Sequence, residues 1–85
     1  MLQQLSLYPN PNVGLVTIDY KLLGEETAIW KLYDVKGKEV INKSLQYGTN
    51  QKQLNVSHLT NGFYHFSVIL DGDRLKSGKM VIAKP

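Results

Sequence analysis

The sequence predicts an all-β domain of seven strands, and three observations carry that prediction. Turn signals recur at short intervals, at residues 9–14, 24–26, 36–38, 48–50, 60–62 and 71–73. The segments between them are rich in β-branched and aromatic residues and alternate apolar with polar. No segment sustains a helical period. Strands are therefore expected at 5–8, 15–21, 28–34, 39–45, 52–56, 62–70 and 75–83, spaced as in a sandwich or barrel.

Each element has its own warrant. The first ends in Tyr8-Pro9-Asn10-Pro11-Asn12, and the prolines, lacking a backbone N–H, mark a stiff exit from a ladder. The asparagines add turn chemistry and Gly14 permits a positive φ. In the second strand Val16, Ile18 and Tyr20 oppose Thr17 and Asp19, which points the first set to the core. In the third, Ala28, Trp30 and Leu32 share a face opposite Lys31, so Trp30 faces inward. Lys36-Gly37-Lys38 and Asp71-Gly72-Asp73 read as hairpin connections, hence antiparallel pairing. In the sixth strand Tyr64, Phe66 and Val68 oppose His65 and Ser67, and in the last Met80 and Ile82 share a face. The expected core is Val16, Ile18, Trp30, Leu32, Val40, Leu54, Val56, Leu59, Tyr64, Phe66, Val68, Met80 and Ile82. Tyr64, just past the turn at 60–62, is either a corner tyrosine bonded back to the backbone or a plain core residue.

Eighty-five residues read as one domain, 1–85, with a thin core, and 42 % hydrophobic residues lift the chain clear of disordered compositions. No stretch has the ~18 apolar residues of a membrane span, which argues against direct membrane insertion. The first residues lack the basic start and apolar run of a signal peptide, so an exported protein carrying this chain takes its targeting segment from elsewhere. With no cysteine, disulfides and thiolate chemistry are excluded. The net charge of +3 is mild, and the aromatics alternate as core residues do; a nucleic-acid platform would interleave them with basic residues. From Arg74 onward the chain is basic without a single acid, the pattern of an edge strand guarded by lysine.

Chemistry is sparse. His58 and His65 are the only histidines and have no carboxylate at ligand spacing from both, so no metal site is expected. Ser57 and His58 are adjacent, and on a strand they would face opposite ways, which does not make a nucleophile and base. Asp71 and Asp73 are explained by a hairpin turn followed by Arg74, and a calcium loop would need more oxygens. Two three-residue sequons, at Asn42 and Asn55, arise readily by chance. No catalytic residue, cofactor site or phosphate loop is found.

Four blocks in order carry more. YPNPNVG at 8–14, LYDVKGKEV at 32–40, LTNGFYHFSV at 59–68 and KMVIAK at 79–84 together resemble the C-terminal sorting domain of type IX secretion cargo in Bacteroidetes. The resemblance spans 8–84, leaving 1–7 as the end of a linker and the first strand. It implies a seven-stranded antiparallel immunoglobulin-like β-sandwich that is no enzyme. Such a domain is recognised by the type IX translocon as the export signal of an upstream passenger. By the same resemblance the passenger passes through the periplasm and reaches the cell surface or the medium. A sortase-like surface peptidase then usually removes the domain, cutting just upstream of the first block, where this sequence has Met1 to Leu7. Carried over by position, the sorting motif comprises Tyr8, Pro9, Asn10, Pro11 and Gly14; Asp34 and Gly37; Leu59, Gly62 and Tyr64; and Lys79, Met80, Val81, Ile82 and Lys84. Pro85 departs from the usual terminal lysine and is expected to leave the edge of the last strand readable, by strand addition or through the charges of Lys79 and Lys84. The alternative is an accessory carbohydrate- or protein-binding module using Tyr33, Tyr47 or Phe63. A stalk repeat is disfavoured because no internal repeat occurs.

Overall fold

The computed structural model describes residues 2–24 and 26–85. Alternation of apolar and polar residues produces seven strands, β1 (Leu2–Tyr8), β2 (Leu15–Leu22), β3 (Thr27–Tyr33), β4 (Glu39–Gln46), β5 (Gln51–Asn55), β6 (Gly62–Leu70) and β7 (Asp73–Ile82). They form two antiparallel sheets, ordered β1-β2-β5 and β4-β3-β6-β7, packed face to face as an immunoglobulin-like sandwich. The expected strands are all present; the first begins earlier, at Leu2, because residues 2–4 continue the pairing along β2 as far as Leu22.

The inner faces hold the core. Val16, Ile18, Trp30, Leu32, Leu54, Val56, Tyr64, Phe66, Val68, Met80 and Ile82 are buried as expected. Val40 and Leu59 are only half-buried, a correction to the expected core. Val40 lies on the edge strand β4 at a register shift, where Leu32 pairs with Ile41 and Tyr33 with Glu39, so Ile41 rather than Val40 stands opposite buried Leu32, and Leu59 sits in the loop before β6. Leu5, Tyr20, Leu22, Ala28, Leu45 and Leu70 join the core instead. Leu45 fits because its cross-strand partner is the small Ala28.

Trp30 is fully buried at the centre, its ring stacked on Phe66 with centroids 5.9 Å apart. Among the described residues its indole N–H has no hydrogen-bond partner, which costs about 1–3 kcal/mol. Phe66 in turn lies across Gly78 on β7, where a Cβ would come within 2.7 Å of the ring. Gly78 therefore lets the aromatic pair reach over the edge strand. Asp71 and Gly72 both take positive φ, 50° and 81°, and join β6 to β7 in a two-residue hairpin of the primed type. Between β3 and β4 the connection is longer: the Asp34 amide donates to the Lys38 carbonyl, and its carboxylate Oδ1 accepts from the amides of Lys36 and Lys38.

Candidate functional site

Antiparallel pairing sends the four sequence blocks to one end of the sandwich. The ends of β1, β3, β5 and β7 and the starts of β2, β4 and β6 all lie there, together with the connections at 9–14, 34–38 and 56–61. Leu2 pairs with Leu22 at the opposite end, so a chain entering β1 does so about 20 Å from that pole.

The first block lies along the outer edge of β7. The Asn10 side chain donates from Nδ2 to the Lys79 carbonyl (3.0 Å) and accepts at Oδ1 from the Val81 amide (2.9 Å). Asn12 donates to the Val81 carbonyl from both its backbone N–H (3.0 Å) and its Nδ2 (3.1 Å), and its own carbonyl accepts from Ala83 (2.8 Å). These contacts make a short parallel bridge between Asn12 and Ile82. Pro9 and Pro11, each preceded by a cis peptide bond, have no N–H to offer, and the intervening asparagines supply the donors. Asn12 is 1 % exposed, and its Oδ1 also accepts from the Gly14 amide.

Gly14 is fixed by two demands. Its φ is +117°, and a Cβ would stand 3.0 Å from that of Ser57. Its carbonyl accepts from the Val56 amide at 2.7 Å, which ties the first block to the loop before β6. In that loop the Asn55 Oδ1 accepts from both the amide and the hydroxyl of Ser57.

The third and fourth blocks close on each other. The Tyr64 hydroxyl donates to the Thr60 carbonyl at 2.6 Å while its ring is buried, so the residue is both corner and core. The Lys84 ammonium donates to the carbonyls of Ser57 and Leu59, both at 2.6 Å. The Lys84 backbone exchanges two hydrogen bonds with the Asn61 side-chain amide. An ammonium is a strong donor and those loop carbonyls have no strand partner, so the lysine completes the backbone satisfaction of the corner.

Two expectations are corrected here. The edge of β7 is not left readable over 79–83, because Asn10 and Asn12 occupy its carbonyls and amides. Lys84 is a structural cation held by the corner, whereas the Lys79 side chain is exposed. In the sequence Asn12 and Asn61 read only as turn residues and Ser57 only as half of a rejected nucleophile and base pair, whereas here all three hold the pole together.

Of the aromatics in the binding-module alternative, Tyr33 and Phe63 share the outer face of the four-stranded sheet near the motif pole, while exposed Tyr47 lies at the opposite pole. Among the described residues no group of three or more His, Asp or Glu could hold a metal ion. His58 borders the groove between β4 and β5, while His65 is on the outer face beside Tyr33. The Tyr8 hydroxyl donates to Asp19 Oδ2 at 2.8 Å, and that bond raises its pKa above the ordinary tyrosine value, with desolvation and the negative charge adding to it.

The secretion system C-terminal sorting domain family matches residues 6–83, which includes every strand except the beginning of β1. The chain belongs to that family. Comparison with curated proteins gives no match. The sorting domain is a C-terminal signal for type IX secretion: it engages the secretion machinery on behalf of an upstream passenger and directs export to the cell surface or the extracellular space. Domains of this family are not catalytic. For a signal of this kind, the unit of interest is a surface, and the pole where the four blocks interlock is the candidate.

Proposed function

We propose that the sorting domain, residues 1–85 acting as one unit, is read by the type IX translocon as a folded address at the pole where its four blocks meet. The observation that supports this most is convergence. Blocks tens of residues apart in sequence are locked to one another at one end, by Asn10 and Asn12 on β7 and by Lys84 on the corner. A passenger joined before Leu2 enters at the other end and leaves that pole accessible. In this reading Tyr8, Pro9, Asn10, Pro11, Gly14, Asp34, Gly37, Leu59, Gly62, Tyr64, Met80, Val81, Ile82 and Lys84 build and present the surface, and Lys79 contributes an exposed charge.

The passenger passes through the periplasm before the outer membrane, and a sortase-like surface peptidase then acts upstream of Tyr8. That position is at or before β1, an edge strand paired on one side only, which suits removal of the domain without dismantling the second sheet.

The test is an export assay. Residues 2–85 are fused to the C-terminus of a signal-peptide-bearing fluorescent passenger in a type IX-competent host, alongside a fusion carrying only 73–85 and one lacking 79–85. The full domain is expected to deliver the passenger outside, and both shortened versions to strand it in the periplasm. Delivery by 73–85 alone would mean that the tail is read as a linear peptide and would overturn the folded-address reading.

A further inference from the structure

Several large apolar side chains stand in solvent at the motif pole, Val13, Leu15 and Tyr8 among them, and two of them face one another across a turn: Val35 at 73 % exposure and Phe63 at 62 %. They come from different blocks and flank one shallow cleft of about 220 Å³ between the 34–38 turn and the corner at 60–64. A turn tip ordinarily carries polar or turn-forming residues, and the core gains little from a valine so exposed. On the outer face Phe63 pairs with half-buried Val81, and in the next row half-buried Tyr33 pairs with His65, which pairs with Lys79. The patch thus has an apolar centre of Phe63, Val35, Val81 and Tyr33.

Its rim is basic. Lys36, Lys38 and Lys79 are exposed. Of the carboxylates near them, Asp34 accepts the amides of Lys36 and Lys38, and Glu39 pairs with Lys31 at 3.3 Å. The backbone beneath is held on both sides, by the Asp34 carboxylate under the turn and by the Tyr64 hydroxyl under the corner. An apolar pair presented on pre-organised loops binds without a large ordering cost, which is how interface anchors behave.

We infer that the Val35–Phe63 patch is the contact by which the domain is held during export, and that its partner is a protein surface with an apolar pocket bracketed by carboxylates. The inference rests on the folded-address reading and deepens it by naming the partner's chemistry. Apolar anchors supply the affinity, and the lysine rim supplies steering and orientation.

The same export assay tests it with the variants V35S/F63S, K36E/K38E and K36R/K38R, and Y47S at the far pole as a control. Each domain is also purified and melted. V35S/F63S is expected to reduce exported passenger about tenfold or more with melting changed by less than about 3 °C. K36E/K38E should reduce export severalfold, K36R/K38R should retain it, and Y47S should match the unmodified domain. If the unmodified domain is not exported, the sorting reading itself fails. If it is exported and V35S/F63S is exported equally well, the patch assignment is overturned while the sorting reading stands. Should V35S/F63S melt much lower, K36E/K38E decides: loss of export supports the patch, unchanged export overturns it. Binding of the purified domain to anionic but not zwitterionic lipid vesicles, abolished by V35S/F63S, would assign the patch to a membrane surface and overturn the protein partner.

Discussion

At the end of the sandwich where Leu2 enters, the connections are short, and their described residues include backbone bonds such as Thr49 amide to Gln46 carbonyl and Glu26 amide to Gly24 carbonyl. At the opposite end the connections are longer, and side chains do the holding: Asn10, Asn12, Asp34, Asn55, Asn61, Tyr64 and Lys84 each bond to backbone. The difference follows from a single requirement. Irregular backbone outside a ladder must find partners for its N–H and C=O groups, and where the loop cannot supply them internally, asparagine, aspartate and lysine must. Asn10, Asn12, Asp34, Asn61, Tyr64 and Lys84 are thus, in the first place, residues that let long loops pack at one pole.

The comparison can be broken most sharply at Gly14. Gly14→Val meets Ser57 and a positive φ together, and is expected to lower stability by about 3 kcal/mol, read by urea denaturation. Asn50→Ala, on the exposed connection at the other end, should cost less than about 0.5 kcal/mol. Equal losses would abolish the distinction between the poles. Next in size, Asn12→Ala leaves the Gly14 amide without its acceptor inside a buried site, for a loss of about 2–3 kcal/mol by the same measurement.

Lys84→Met keeps the aliphatic stem but removes two hydrogen bonds, and about 1 kcal/mol is expected because the group is half-exposed. Lys79→Met, also in the terminal block, should be neutral to within about 0.5 kcal/mol. If Lys79→Met is the more destabilising, the division between structural and exposed lysines is wrong.

The smallest effect is alkaline. Tyr8 near the motif pole and Tyr20, whose hydroxyl donates to the Gln46 carbonyl at the other end, both have raised pKa values, the first mainly through its bond to Asp19 and the second mainly through burial. A raised folded-state value means that the protonated hydroxyl is favoured by folding. The contribution is therefore fully present below the ordinary tyrosine value of ~10 and is lost as pH rises through the raised values. Melting temperature should fall from pH 9 to pH 11. Asp19→Asn should shrink that fall slightly, and Tyr20→Phe should shrink it more, because Tyr20 is buried and Tyr8 is exposed.

Most of the fold was legible because alternation is a local signal. Trp30 could be pointed inward from its offset to Lys31, and the Asp71-Gly72 turn from two residues alone. Val40 is half-buried for a reason no local pattern carries: a register shift between β3 and β4 leaves it between the partners of Leu32 and Tyr33. Gly78 is similar, since its role is set by the ring of Phe66 on the neighbouring strand. The interlock was least legible. Asn10 and Lys79 are 69 residues apart, and a lysine near a chain end reads as solvated until the carbonyls beneath it are seen. The four blocks mark the pole in the sequence, while the side-chain bonds that join the first, third and fourth of them are visible only in the structure.

The docking of Asn10 and Asn12 on the outer edge of β7 also has a consequence in time. Synthesis runs from the N-terminus, so Asn10 and Asn12 are made long before Val81 and Ala83, the partners they require. The pole can close only when the last block has left the ribosome, by which point every upstream residue has been translated. A chain cut short before Val81 lacks the partners of Asn10 and Asn12, so its pole cannot assemble however much of the upstream sheet has formed.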